Sequence, residues 1–389
     1  MVSLCADTIT LLTKTIRSSD LPLRPAALHA LAHALDGSGG VGGGVQAEVI
    51  KNLKHVISER GATSELRGAC VACMAPLVRN VEGLWGTDTL DQLAPLATKY
   101  LDDPVPSVRA AASKALGSML ASALSAPFAR SRGSGGGATK PKSGFSRMAK
   151  GVLDSRKEEP KSAIEALMPY LVTPFCRTSA TRELRQGIAR ALVHMLRHIP
   201  RPDLERHSAF VLEQCLVMLG VQGAGRHLCG CVTHVLRAGL GETLSERGQV
   251  AMATTLAESV TSRAANESVI FTGLNELSFL LLSLREVASA ARDHLLQSER
   301  PLLVLIDHPA RVVRLAACQC LWALVLAFPT QLAGALQSSL NRVRSEHAKL
   351  SSGPGKTAEA TLATLSAQVA AVCKTPATHA LVGLGGRVG

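Results

Sequence analysis

The stretch that decides the fold is D-H-P-A-R-V-V-R-L-A-A-C-Q-C-L-W-A-L-V-L-A-F-P-T-Q-L, residues 307–332. Four of its side chains are competent metal or catalytic groups: Asp307, His308, Cys318 and Cys320. A gapless copy, D-D-P-V-P-S-V-R-A-A-A-S-K-A-L, lies upstream at residues 102–116. In that copy Asp, Ser and Ala replace the histidine and the two cysteines. The reactive groups therefore vary, and the stretch is interpreted as architecture.

The positions that recur are an acid, a proline, an apolar–arginine pair, a small residue and a leucine. They are Asp102, Pro104, Val108, Arg109, Ala112 and Leu116, and then Asp307, Pro309, Val313, Arg314, Ala317 and Leu321. Weaker copies follow Leu23, Leu66 and Leu184, and the arginines at 24, 67 and 109 are 43 and 42 residues apart. From 109 to 185 is 76 residues and from 185 to 314 is 129, near two and three periods. A period of about 40 residues indicates stacked helical repeats.

Each recurring residue has a physical role in such a repeat. Asp at the boundary is expected to cap the next helix, and Pro in the first turn loses no hydrogen bond. Val108, Ala112 and Leu116 share one helical face, where the small alanine lets a neighbouring helix approach. The arginine is expected to bind carbonyl groups or the Asp of an adjacent repeat. We therefore expect these arginines to be structural.

Composition supports an all-α fold. The chain has 389 residues with only 3% aromatics, and alternating β-branched residues are scarce. Ten cysteines are scattered along it, and Met1 to Thr15 lacks the basic start and unbroken apolar run of a secretory leader. We expect free thiols in a reducing compartment. The most apolar stretch considered, residues 315–328, is shorter than the roughly twenty residues of a membrane span and predicts a buried helix.

Half of the excess positive charge lies in one segment. The formal net charge is +12, and residues 130–161 hold nine Lys or Arg against Asp154, Glu158 and Glu159. Three interpretations stay open: a solvated linker, a contact with an acidic surface such as anionic lipid, and a contact with nucleic acid. The residues assigned to an anionic-surface contact are Arg130, Arg132, Lys140, Lys142, Arg147 and Lys150.

Glycine-rich stretches at 37–44 and 131–144 read as loops, since glycine is costly to order and packs poorly. The second predicts a division into three parts. Residues 1–129 form an N-terminal repeat block, 130–162 a basic Gly/Ser-rich linker, and 163–389 a C-terminal repeat block with a flexible tail.

Three motifs resemble chemical sites. Cys70 and Cys73 form a C-x-x-C inside a helical repeat, where a core role is favoured over redox chemistry. His227, Cys229, Cys231 and His234 have zinc-ligand types, but the two cysteines point in different directions on a helix. S-S-G-P-G-K-T, residues 351–357, lacks the first glycine of a phosphate-binding loop, because Leu350 stands there. We expect no catalytic, metal or cofactor site.

The repeat resembles the HEAT repeat, an antiparallel helix pair that stacks into a superhelix. Residues 314–332, R-L-A-A-C-Q-C-L-W-A-L-V-L-A-F-P-T-Q-L, resemble the R-L-A-A-A-W-C-L-R-type helix and the following P-x-Q-L of the HEAT repeat-containing protein 5 family. Residues 100–124 are similar to that family's valine-arginine and leucine-glycine repeat. The order of the pieces also agrees, ending with N-E-L-S-F-L at residues 275–280.

The resemblance implies a large cytosolic scaffold that associates with the type-1 clathrin adaptor and its accessory proteins at the trans-Golgi network and endosomes. This chain is a fraction of a typical member in length. We accordingly expect an all-α solenoid of eight or nine helix pairs, without enzymatic activity or a small-molecule substrate, that presents a concave surface to protein partners. The alternative is a basic solenoid that binds anionic membrane or, less expected, nucleic acid through residues 130–161.

Overall fold

The fold is built from α-helices joined by short turns. The structure, a computed structural model, describes residues 2–18, 22–38, 43–59, 61–79, 88–125, 162–221, 225–262, 265–296 and 301–352. These residues contain α-helices with three short π or 3-10 segments, and no β-strand lies among them. The predicted all-α fold is confirmed.

The chain divides into two compact units, Met1–Gln214 with Val221–Thr243, and Cys215–Gly220 with Leu244–Gly389. The helices of the first unit are α1 (Val2–Ser18), α2 (Leu23–Gly37), α3 (Gly43–Ser58), α4 (Ser64–Ala72), α5 (Met74–Arg79), α6 (Asp88–Tyr100), α7 (Pro106–Ser125), α8 (Ala163–Leu167), α9 (Pro169–Cys176), α10 (Arg182–His198), α11 (Arg201–Met218, which runs past the unit), α12 (Arg226–His234) and a π-helical segment (Val235–Gly241).

Local sequence sets where many helices begin. A side-chain oxygen accepts a hydrogen bond from the backbone N–H three residues on, and a glutamate follows in the first turn, which favours the helix dipole. This happens at Thr63, Ser162, Thr181, Ser245 and Asn266, with donor–acceptor distances of 2.9 to 3.3 Å. The residues at the ends of these turns therefore determine where the next helix begins.

Helices of the first unit pack in two layers. Along the first layer, α1 packs on α3 and α3 on α6. Along the second layer, α2 packs on α4 and α5, these pack on α7, α7 on α10, and α10 on α12 and the π-helical segment. Within a pair the layers meet, as α1 does with α2 and α6 with α7. This is the stacking of helical hairpins that the repeat predicts.

A glycine makes the closest approach in the second layer. A Cβ atom added to Gly117 of α7 would lie 2.5 Å from the carbonyl oxygen of Ala191 and 2.5 Å from the Cβ of His194, both on α10. Gly187 of α10 likewise faces Leu101, which a Cβ would meet at 3.0 Å. Small residues at these positions let α10 pack directly on the elements before residue 126.

The predicted division at 130–162 does not coincide with the boundary of the compact units. The first unit holds helices from both sides of that segment, because α7 and α10 pack together across it. The three-part division stays a prediction, since residues 126–161 lie outside the described residues.

The second unit begins with α13 (Glu246–Thr261) and α14 (Glu267–Leu284), followed by a 3-10 turn (Arg285–Ala288). It continues with α15 (Ser289–Leu295), α16 (Pro301–Leu305), α17 (Arg311–Ala327), a second 3-10 turn (Pro329–Gln331) and α18 (Leu332–Ser352). α14 packs between α13 and α17. Gly273 permits the contact with α13, since a Cβ there would lie 2.3 Å from Cγ1 of Val260.

One helical stretch of the described residues, Glu267–Leu295, is long and apolar enough to cross a membrane. This stretch is longer than residues 315–328, the most apolar stretch considered from the sequence. Of its apolar window, 61% is buried inside the protein, as expected for a core helix. Residues 315–328 lie mainly on α17, whose Leu321 and Leu324 are buried as the sequence predicts.

Candidate functional site

The turn before each repeat helix differs from the predicted cap. Asp102 and Pro104 both precede α7, which begins at Pro106, and Asp307 and Pro309 precede α17. The N-cap of α17 is Ala310, which has no capping side chain. The expectation that Asp102 and Asp307 cap these helices is therefore wrong. The loop between acid and helix is longer than the sequence pattern implied.

The residue after each acid organises the turn instead. Oδ1 of Asp103 accepts a hydrogen bond from the Val105 N–H at 2.9 Å. At the equivalent place, Nδ1 of His308 accepts from the Ala310 N–H at 3.1 Å. The two side chains differ chemically but bind the same backbone position. The residue types at this position differ between the two copies, so the shared acceptor role is not visible in the sequence.

The repeat arginine ties its helix to the turn before it. Nη1 of Arg109 donates to the carbonyls of Asp103 and Pro104 at 2.7 and 3.0 Å. Nη1 of Arg314 donates to the equivalent carbonyls of His308 and Pro309, at 3.0 and 2.8 Å. Both arginines hold carbonyl groups that have no other partner in a helix ladder.

A third copy makes the same kind of contact. Arg185 donates from Nε to the carbonyl of Phe175 at 3.2 Å and from Nη2 to that of Arg177 at 3.0 Å. This arginine therefore ties α10 to the turn after α9. Three repeats thus use one guanidinium in one way.

Other repeat arginines join consecutive helix pairs. Arg24 of α2 binds both carboxylate oxygens of Glu59, at 3.0 and 2.8 Å. The hydrogen bond from Arg24 lowers the pKa of Glu59. Arg67 of α4 binds Asp103 in the same bidentate way. These acids lie 35 and 36 residues after their arginines, so each pair connects one repeat to the next.

In the second unit Asp307 pairs with an arginine of α18. Nη2 of Arg342 donates to Oδ2 of Asp307, and its Nη1 donates to the carbonyl of Leu303 at 2.7 Å. Asp307 is thus an anchor for the following helix rather than a cap for its own.

The predicted packing positions are all buried, with relative exposures of 0 or 1%. They are Val108, Ala112, Leu116, Val313, Ala317 and Leu321. The structure thus places them in the interior of their units.

The cysteines considered for redox chemistry lie in the core. The thiol of Cys70 donates to the carbonyl of Leu53 at 3.8 Å, and that of Cys73 donates to the carbonyl of Leu28 at 3.0 Å. Burial raises the pKa of Cys73 to about 12. Such thiols stay protonated and poorly nucleophilic.

The zinc-ligand types on α12 do not converge. Sγ of Cys231 lies 3.8 Å from Nδ1 of His227, and burial raises the Cys231 pKa to about 11. In the part of the chain that the structure describes, no group of three or more His, Cys, Asp or Glu could hold a metal ion.

Two predicted segments fall outside the described residues. The residues assigned to an anionic surface, Arg130, Arg132, Lys140, Lys142, Arg147 and Lys150, all lie in 126–161. Residues 353–357 of the G-P-G-K-T stretch also lie outside.

A groove that the sequence did not reveal lies between α10 and α12. It has a volume of about 330 Å³. Its lining residues are Gln186, Ala189, Arg190, His227, Gly230, Cys231 and His234. We call it the basic groove. The polar residues of α10 are one helical turn apart, which is a signal that the sequence does carry.

Cationic groups surround the basic groove. Burial lowers the pKa of His194, and His198, Lys114, Arg197 and His234 lower it further. Burial also lowers the pKa of His234, with Arg190 and Arg197 adding to the effect and Glu242 opposing it. Both imidazoles are thereby held toward the neutral form.

These features define an α-solenoid of helical-hairpin repeats whose arginines are structural. The family model of the HEAT repeat matches residues 93–123, which run from α6 into α7. That range contains Asp103 and Arg109, the two residues that build the turn.

Among curated proteins, the chain is similar to Protein SWEETIE of Arabidopsis thaliana, with 24% identity over 374 residues. The match covers 94% of this chain and 16% of that protein, so the chain spans about a sixth of the length of this relative. Among solved structures, importin beta matches 95% of this chain and 40% of its own at 13% identity and a TM-score of 0.40. A designed armadillo repeat protein matches 81% of this chain and 98% of its own at 15% identity and a TM-score of 0.26.

Proposed function

We propose that the chain is a non-enzymatic scaffold for protein–protein interactions. The observation that carries this proposal is the second layer of the first unit, where anchored helices stand side by side from α2 to the π-helical segment. The repeat arginines Arg24, Arg67 and Arg109 hold turns and neighbouring repeats together. Such a surface recognises partners by shape and distributed polar contacts.

The finer proposal concerns clathrin-adaptor-linked traffic between the trans-Golgi network and endosomes. It is supported by the resemblance of residues 100–124 and 314–332 to the HEAT repeat-containing protein 5 family. We propose that the partners are clathrin adaptor or accessory subunits. The proposed location is cytoplasmic, peripherally at the trans-Golgi network, endosomes or vesicles.

Affinity capture with mass spectrometry tests this proposal. The tagged chain is expressed in its native cell. The control is a variant in which Arg24, Arg67 and Arg109 are replaced by alanine, so that the contacts that hold the repeats together are lost. We expect adaptor or accessory subunits with the wild type and not with the control. Their consistent absence from the wild-type capture contradicts the traffic proposal.

A second candidate rests on the nine Lys and Arg of residues 130–161. In this alternative that segment binds anionic membrane or nucleic acid directly. Vesicle and oligonucleotide binding at two salt concentrations separates the candidates. Strong binding that falls with salt and is abolished by deleting 130–161 supports the alternative. Unchanged binding after the deletion rules it out.

A further inference from the structure

Two of the four arginines on α10, Arg182 and Arg190, make no hydrogen bond or ion pair with the described residues. Arg185 and Arg197 of the same helix are both engaged, the first with two carbonyls and the second with the Ala238 carbonyl at 3.1 Å and Glu242 at 2.6 Å. Among the described residues, no hydrogen bond or ion pair engages Arg190. Its side chain is exposed and lines the basic groove. A guanidinium that is free at the wall of a groove is a ready donor for an external acceptor.

The charge around this groove is of one sign. Lys114 of α7 acts on His194, and Arg190 of α10 acts on His234, so cationic groups from two successive second-layer helices border the same region. The one carboxylate that acts on His234 belongs to Glu242, and Arg197 already binds it. An anionic ligand would therefore meet little competition from the protein's own acids.

A π-helical segment adjoins the groove directly. Val235–Gly241 continues α12 immediately after His234, and Nε of Arg197 holds its Ala238 carbonyl. π-Helical turns are rare and occur frequently at functional sites. This is an observation independent of the charges.

We propose that the basic groove binds an acidic peptide segment of a partner protein, with the guanidinium of Arg190 paired to a carboxylate. This deepens the scaffold function and rests on it. Gln186 on the α10 wall and His227 on the α12 wall supply further hydrogen-bonding groups, which suit the amide groups of a peptide backbone. A volume of about 330 Å³ holds a few side chains.

The observations favour a peptide over a nucleic acid or a membrane. Few full charges act at the groove: Arg190 lines it, Arg185 acts with Arg190 on Cys231, and Lys114 acts on His194. Arg197 is paired with Glu242. A few charges match a short run of carboxylates, whereas a phosphate polymer draws on many cations and on stacking aromatics. No Phe, Tyr or Trp is among the residues that line the groove.

Gly230 supplies a sharp test. Nothing lies within 4 Å of a Cβ added there, so a side chain enters the groove without disturbing the helix. Gly230→Glu places a carboxylate where the ligand would bind. Gly68→Glu is the matched control, because Gly68 is also helical, lies outside the groove and has the same open space. Arg190→Gln removes the proposed donor.

The experiment measures fluorescence anisotropy of a labelled Asp/Glu-rich peptide with the whole purified chain, and of the same peptide with Asn/Gln in place of its acids. We expect binding of the acidic peptide alone, weakened about tenfold or more by Arg190→Gln and by Gly230→Glu. Gly68→Glu should leave the affinity unchanged. Thermal melts of all three variants confirm that they fold.

Three outcomes overturn the proposal: no binding of the acidic peptide, equal loss in Gly68→Glu, or no loss in Arg190→Gln. A fourth is Arg190-dependent binding of an oligonucleotide or of phosphatidylserine vesicles without peptide binding. The scaffold function is tested by a separate experiment. Capture that recovers no partner from cells, while the acidic peptide still binds, contradicts the traffic proposal and leaves the groove assignment standing.

Discussion

Arg67 and Asp103 form a bidentate ion pair between consecutive repeats, with Nε–Oδ2 and Nη2–Oδ1 distances of 2.7 and 3.1 Å. The Asp103 side chain is only 5% exposed and that of Arg67 is 22% exposed. The same carboxylate organises the turn that starts α7 through the Val105 N–H. One buried acid thus fixes both a turn and the contact between two repeats.

We predict that Asp103→Ala lowers the free energy of unfolding by about 2 kcal/mol, because it leaves a partly buried guanidinium and a turn N–H without their acceptor. Denaturant unfolding followed by circular dichroism measures the loss. Arg206→Ala is the matched control, since Arg206 pairs with Asp203 at 3.1 Å with side-chain exposures of 68 and 50%. The control should change stability by less than about 0.5 kcal/mol. Equal effects in the two variants would count against a structural role for the inter-repeat pair.

Gly117→Ala should destabilise the first unit by about 1 to 3 kcal/mol, because the new Cβ would meet the backbone carbonyl of Ala191, which cannot move aside as a side chain can. Gly68→Ala is the control. Its Cβ meets open space, so it should stabilise its helix by up to about 1 kcal/mol. Thermal melting of both variants checks the sign. A more stable Gly117→Ala variant would mean that α7 and α10 are not in close contact.

Ala317→Leu should overpack the buried face of α17 and cost about 1 to 3 kcal/mol, since Ala317 is fully buried. Its control comes from the other copy of the repeat. Ala110 is exposed, and the equivalent position already carries Leu315, which is 44% exposed. Ala110→Leu should therefore leave the melting temperature nearly unchanged. An unchanged melting temperature in Ala317→Leu would contradict close packing around Ala317.

Acidification should destabilise the protein through His194 and His234. Both have a pKa lowered from the ordinary value of 6.5, first by burial and then by cationic neighbours. The unfolded chain therefore binds more protons than the folded one as the pH falls through 6.5, and stability falls with it. Melting temperatures between about pH 8 and pH 5.5 measure the effect, which His194→Gln with His234→Gln should reduce. A slope that the double variant leaves unaltered would assign the pH dependence to other groups.

The sequence predicts the recurring elements better than the contacts between them. The period of the arginines and the apolar face around Val108 and Leu116 can be predicted from residue type. Each repeat needs the same residue types at the same positions in order to pack against its neighbours. The equivalence of Asp103 and His308 could not be predicted from residue type, because one is an acid and the other a histidine. They share an acceptor role toward the same backbone N–H, which arises only in the folded turn.

The basic groove was harder still to predict. His227 and His234 were first considered as zinc ligands because they are close in sequence. Their relation to Arg190 depends on how α10 and α12 are aligned, and that alignment is set by tertiary packing rather than by any local motif. The boundary of the compact units also depends on tertiary packing. A glycine-rich segment marks a loop, but it does not show whether the helices on either side of it pack together.

The helices of the first unit on both sides of residues 126–161 form one continuous scaffold, joined where α7 packs on α10. The most direct test places a site-specific protease sequence within the glycine-rich stretch 131–144. The cut chain is then run on a size-exclusion column under native conditions. The account predicts that the two fragments elute together as one helical particle, and that Gly117→Val weakens their association. Fragments that separate completely while each stays folded would contradict it.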